Sequence, residues 1–268
     1  MAFDFTTKLL YRVKREQYFP NAKLAPEFAK SRAISSSQRL EKIIPKLKGK
    51  NRDLAFWILA QNLDKRSLHV LVRLSKHHNS RIRSSATWAL GMIKDSEVKK
   101  LLAESFRNDR SAGVIWESAK GLISQEARQF ISMFLETAKN SGHIDRRRAA
   151  VYILGNLSVR KSVPILVSLL LNKSEDEGLR GEAAEALGNI MDHRAIDPLI
   201  QTLDDDSVEV RFWSIFALGQ LDAKKALPRL RKIARIDKAT LRGWWSIKKE
   251  AIDAINNIMR KPITSRIR

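Results

Sequence analysis

The 268-residue chain contains no cysteine. Disulfides, thiolate metal sites, thiol nucleophiles and thioether attachment of a cofactor are thereby excluded together, and a reducing, intracellular compartment fits. No apolar run approaches the roughly 20 residues that span a bilayer. The longest, Val163 to Leu171, is interrupted by Ser168, so no membrane insertion is expected. The N-terminus, MAFDFTTKLLYRVKREQYFP, lacks an apolar core followed by a small-residue cleavage site. That sets a secretory signal aside and leaves the cytoplasm as the expected location. The five histidines (His69, His77, His78, His143, His193) form no HExxH pattern, and neither a Walker-type loop nor a GxSxG elbow occurs. No catalytic residue, metal ligand or cofactor is expected.

What the chain has in excess is positive charge, +21 with a pI near 10.4, which attracts polyanions. Its distribution is uneven. Lys+Arg minus Asp+Glu is 12 − 4 = +8 over 1–50, 12 − 6 = +6 over 51–110 and 8 − 4 = +4 over 111–170. It then reverses to 4 − 12 = −8 over 171–222 before returning to 14 − 3 = +11 over 223–268. A uniform coat for DNA has no use for such an acidic block, which is suited instead to a basic partner or to the chain's own basic segments.

From Ser37 onward the sequence repeats. Aligned on Gly91, Gly121, Gly155, Gly188 and Gly219, with Ala60 in the first place, the intervals are 31, 30, 34, 33 and 31 residues, and IKKEAIDAINNI (Ile247 to Ile258) is a degenerate seventh copy. Each unit also supplies a preceding amphipathic segment such as KRSLHVLVRLSK or KALPRLRKIARI. Two helices per thirty-odd residues predict an all-α fold, an α-solenoid of about seven helical hairpins over 37–260 as one domain. Residues 1–36 are expected to cap it and 261–268 to form a basic tail.

The columns have distinct chemistry. Leu59, Leu90, Leu154, Leu187 and Leu218 precede the marker, and Ala55, Ala86, Ala150, Ala183 and Ser214 stand five before it, an i, i+4 pair facing neighbouring helices. Repeat three departs, with Lys120 and Trp116 there. Eight before the marker stand Arg52, Arg83, Arg147, Arg180 and Arg211, read as a ladder bonding acidic loop residues of adjacent repeats. VRFWSIFALGQL, IRSSATWALGMI, LRGEAAEALGNI and AIDPLIQTLDDD resemble the HEAT-repeat family, in particular its short Ala-rich subgroup of phycobilisome-lyase-like proteins.

The resemblance implies that second helices line an inner, concave surface. Three before the marker this places Trp57, Trp88, Ser118, Tyr152, Glu185 and Phe216 there, and seven before it Asp53, Ser84, Val114, Arg148, Gly181 and Phe212. Trp57, Trp88, Tyr152, Phe212, Phe216 and Arg148 are therefore the candidate groove contacts, the competing role for the aromatics being to close gaps between helices. A second candidate is a basic patch comprising Lys225, Arg229 and Lys232 on one helix, then Arg242, Trp244, Trp245, Lys248 and Lys249. It is suited to phosphate contact and stacking, or, for the tryptophans, to capping the last apolar flank.

The leading expectation is a non-enzymatic scaffold or adaptor that holds an acidic macromolecular partner, protein first, through aromatic groove and basic flanks. A DNA- or RNA-binding module is the alternative, in a glycosylase-like form if Asp53 beside Trp57 were a groove carboxylate. The repeat subgroup implies a third, a bilin lyase or tetrapyrrole-protein chaperone. Oligomeric state is left open.

Overall fold

The computed structural model of the chain describes residues 34–61 and 65–260. The expected cap over 1–36, apart from the start of the first helix, and the tail over 261–268 lie outside the described residues. Among the latter, fourteen α-helices follow one another as seven hairpins. They are α1 (Ile34–Ile43) with α2 (Lys50–Gln61), α3 (Lys65–Leu74) with α4 (Ser80–Gly91), α5 (Ser96–Asn108) with α6 (Ala112–Ser124), and α7 (Ile131–Asn140) with α8 (Ile144–Asn156). There follow α9 (Val163–Leu171) with α10 (Glu177–Ile190), α11 (Ile196–Gln201) with α12 (Val208–Gln220), and α13 (Leu227–Ile236) with α14 (Ile247–Arg260). They make two compact units, one ending at Ala127 and the other beginning at Arg128, where the repeat pattern alone predicts one domain.

Local chemistry sets the boundaries. Asn79, Asp95, Asp176 and Ser207 cap α4, α5, α10 and α12, each side-chain oxygen accepting from a backbone amide of the first turn. Pro164 and Pro228 stand in the first turns of α9 and α13, where a missing donor costs nothing. Within each unit, second helices pack on their own first helices and on the next second helix. The Leu and Ala columns form the core of that packing, with Leu59, Leu90, Leu154, Leu187 and Leu218 fully or almost fully buried alongside Ala55, Ala86, Ala150, Ala183 and Ser214.

Close approach explains the marker glycine. A Cβ on Gly155 would lie 2.7 Å from the Cα of Ala186, and one on Gly188 2.8 Å from the Cα of Ala217. Each marker thus faces the residue two before the next marker. Gly91 by the same rule faces Gly121, at 3.0 Å, so Gly121 holds the place of Ala186 and Ala217, and the true marker of repeat three is Ile123. The backbone agrees, because Glu126 (φ 48°), Ser158 (50°), Met191 (57°) and Asp222 (54°) are left-handed three residues after Ile123, Gly155, Gly188 and Gly219. The apparent irregularity of repeat three is an error of register. Ser118 and Leu122 take the Ala and Leu columns, both buried, and the intervals of 30 and 34 become 32 and 32.

Candidate partner-binding face

Four of the five arginines of the column are structural, while Arg52 Nε is buried with no hydrogen-bond partner among the described residues. Arg83 grips Asp109 through Nε (2.7 Å) and Nη2 (3.0 Å) and donates to the carbonyls of His77 and His78. Arg147 makes two 2.7 Å bonds to Glu175 and one to the Ala138 carbonyl. Arg180 holds both oxygens of Asp205 and the Leu170 carbonyl. Arg211 reaches Asp237 at 3.0 Å and takes only the backbone carbonyls of Asp205 and Asp206. Each guanidinium ties its own hairpin to the acidic loop before the next second helix. Burial alone would raise the Asp205 carboxyl, but bonds from Arg180 and the Ser207 amide outweigh it and hold it below the usual carboxylate range.

Beside the core and the ladder, each second helix keeps one narrow strip of half-exposed positions. Of the expected contacts, Trp88, Arg148, Tyr152 and Phe216 are among them, whereas Trp57 and Phe212 are buried at 9% and 1% exposure. Phe212 is covered by Trp213, Trp244 and Trp245, whose ring centroids stand 5.2, 5.7 and 5.9 Å away. Ser118 and Val114, placed on this face by the uncorrected register, are fully buried, and Lys120 and Trp116 replace them.

In the first unit, Asp53, Ser84, Ser85, Trp88 and Glu117 line a cavity of about 320 Å³. Ser85 Oγ donates to Asp53 Oδ1 at 3.2 Å, and Lys120 Nζ reaches Glu117 Oε1 at 2.9 Å, leaving the buried Glu117 Oε2 with no hydrogen-bond partner among the described residues.

In the second unit, one guanidinium serves several carboxylates. Arg148 Nη2 lies 3.4 Å from Glu182 and 3.7 Å from Glu209. It rests on α10 where a Cβ at Gly178 would meet it at 2.6 Å. Burial first, then the charge of Glu185, push Glu182 up to about 7 against the pull of Arg148. Burial also raises Glu185 and Glu209. Beside them Trp213 packs edge-on against Phe216 (5.6 Å) and Trp244 (5.1 Å). The loop after α13 closes through the Ile247 amide to the Ala239 carbonyl and through a bridge between Thr240 and Ser246, and it holds Trp244 and Trp245 out at 47% and 40% exposure.

Several members of the basic patch are engaged in contacts within the chain. Lys225 pairs with Asp197 at 2.6 Å and Arg229 with Asp204, while Lys249 lies 4.3 Å over the Trp245 ring and bonds Asp253. Trp245 Nε1 donates to Glu250 at 2.6 Å. Lys232, Arg242 and Lys248 are exposed on the flank. The two tryptophans cover Phe212 and stay partly exposed.

Ser85, Glu117, Glu182, Trp213 and Glu250 escape a reading restricted to the columns three and seven before the marker. All stand six before it once repeat three is re-registered. That column was visible in the sequence, with Glu in repeats three, five and seven.

Among the described residues no helix is long and apolar enough to cross a membrane. The bilin biosynthesis protein PecE of Mastigocladus laminosus is 37% identical over 90 residues, 34% of this chain and 33% of that protein, so the likeness spans a third of its length. YibA of Escherichia coli superposes with a TM-score of 0.54 at 18% identity, over 90% of this chain and 99% of that one. The karyopherin Kap121p, bound to the extreme C-terminus of the protein phosphatase Cdc14p, gives 0.64 at 14% identity, over 88% of this chain and 30% of that one. Both are likenesses of fold. The family model for HEAT repeats matches residues 38–123 and 131–214, more than half of the sequence, and that for the PBS lyase HEAT-like repeat matches 210–235. The chain belongs to the HEAT-repeat family.

Proposed function

We propose that the chain is a non-enzymatic, cytoplasmic scaffold that holds a protein partner on the half-exposed faces of its second helices. The observation that carries this is the aromatic cluster of the second unit, where Trp213, Phe216, Trp244 and Trp245 stand edge to face with Glu209 close by. Clustered tryptophans with a polar border are the chemistry of a protein-binding hot spot. Kap121p, whose fold is similar, is a protein bound to a protein segment. The charge of this face does not favour the acidic partner expected from net charge. An acidic partner is left to the exposed cations Lys232, Arg242 and Lys248.

The test is capture from a nuclease-treated lysate. Replacing Trp213, Phe216 and Trp244 together by Ala abolishes recovery of the partner while far-UV circular dichroism is unchanged, and Trp57→Ala, a buried position, lowers the melting temperature instead. Recovery that vanishes on nuclease treatment, with a mobility shift of DNA or RNA that falls steeply with salt, overturns the protein reading in favour of nucleic acid on Arg242, Trp244, Trp245 and Lys248. The PecE likeness favours a second reading, a tetrapyrrole carried on the same aromatic face. Uptake of a coloured bilin by the purified protein, and its transfer to an acceptor, decides for that reading.

A further inference from the structure

The geometry points to a cationic ligand: an extended, arginine-bearing protein segment, one guanidinium of which enters the cavity formed by Asp53, Ser84, Ser85, Trp88 and Glu117. This rests on the partner-binding reading above and adds the chemistry of the partner. Three successive second helices build the cavity, with Asp53 from α2, Ser84, Ser85 and Trp88 from α4 and Glu117 from α6. Every ionisable group in its lining is a carboxylate. Among the described residues the cation paired with Glu117 is Lys120, which is more than half exposed and takes Oε1, while the buried Oε2 has no hydrogen-bond partner. A guanidinium supplies donors to Asp53 and, in place of Lys120, to Glu117 Oε1, and its plane suits the indole of Trp88. A small metal ion would have no use for the indole, and an anion would face two carboxylates.

The cavity lies on the half-exposed faces of three successive second helices, the surface assigned above to a protein partner, which is why a chain rather than a free small molecule is the occupant. The second unit, taken by itself, also gathers acid on this face, with Glu182 and Glu209 against Arg148. Within the first unit, charge complementarity selects an arginine side chain presented by such a segment.

The test uses the full-length protein, fluorescein-labelled oligo-arginine, oligo-glutamate and a neutral glycine–serine peptide, and fluorescence anisotropy in about 0.15 M salt. Oligo-arginine binds and the neutral peptide does not. Glu117→Gln and Asp53→Asn each weaken oligo-arginine about tenfold, one charge-assisted hydrogen bond each, and leave any oligo-glutamate binding to the basic flank unchanged. Trp88→Leu weakens it with helicity retained, and Trp88→Phe restores part of the loss. Lys120→Met is the decisive variant, because it removes the competing cation and strengthens oligo-arginine severalfold. Weaker binding in Lys120→Met, or no change in Glu117→Gln, overturns the inference. If oligo-arginine fails while capture dependent on Trp213 and Trp244 persists, the cationic partner is wrong and the scaffold stands. If both fail, the scaffold falls as well.

Discussion

Arg180 and Asp205 are the most enclosed ion pair among the described residues, their side chains 6% and 4% exposed. Such a pair adds little over an apolar one but leaves a costly charge behind when one member is removed. Arg180→Ala is therefore expected to lose about 3–5 kcal/mol in denaturant unfolding, and the double change Arg180→Met with Asp205→Leu to recover most of it. A double variant no better than the single one would mean that the Leu170 carbonyl, which Arg180 also satisfies, matters more than the pair. Glu182 presents the opposite case, a carboxyl that the fold disfavours in its charged form. Its value moves from 4.5 to about 7, through burial and then Glu185, with Glu209 adding and Arg148 opposing. Between those two pH values the folded chain keeps a proton that the unfolded chain has lost, so stability declines as pH rises through that window, by on the order of 3 kcal/mol. Glu182→Gln removes the titration. Its melting temperature should exceed the parent's at pH 8 and match it near pH 4, and equal temperatures at both values would contradict the assignment.

The second helices meet through pairs of small residues, and this sets what each repeat tolerates. Gly188 has no room for a side chain, since the atoms within 3 Å of a Cβ belong to Ala217, two of them at 2.8 and 2.9 Å. Gly188→Val must push α10 from α12 and should cost about 1–3 kcal/mol. Gly142, with nothing within 4 Å of a Cβ, should accept Ala within about 0.5 kcal/mol in the same unfolding assay. The helices, their pairing and the arginine ladder were legible in the sequence because five repeats spell each column in the same letters. Repeat three misled because two neighbouring columns both demand small residues. Gly121 meets Gly91 and looks like a marker, while the marker itself is Ile123. That displacement hid Glu117 from the face and put Ser118 on it. The burial of Phe212 was not legible, since it depends on how the loop from Asp237 to Ser246 folds, a stretch with no counterpart in other repeats. The division of the acidic block was equally hidden. Glu175, Asp205, Asp204 and Asp197 pair with Arg147, Arg180, Arg229 and Lys225, whereas Glu182 of α10 and Glu209 of α12 lie against Arg148.

The whole chain carries +21, and a cationic segment approaching it is repelled at long range and attracted only at contact. The two effects respond differently to salt. The screening length falls from about 30 Å at 0.01 M to about 8 Å at 0.15 M, so salt removes the distant repulsion while leaving ion pairs inside a half-buried cavity largely intact. The association rate of oligo-arginine is accordingly expected to rise between those two concentrations, the reverse of ordinary electrostatic steering. Oligo-glutamate supplies the internal comparison, for its encounter with exposed cations such as Lys232, Arg242 and Lys248 is steered by the same net charge and should slow over the same range. Stopped-flow anisotropy with both peptides measures the two rates under identical conditions. Two rates that fall together would mean that oligo-arginine meets an extended negative field rather than isolated carboxylate pockets in a positive one. Opposite slopes, combined with faster oligo-arginine dissociation in Glu117→Gln than in the parent, would locate attraction in the cavity and repulsion in the rest of the molecule.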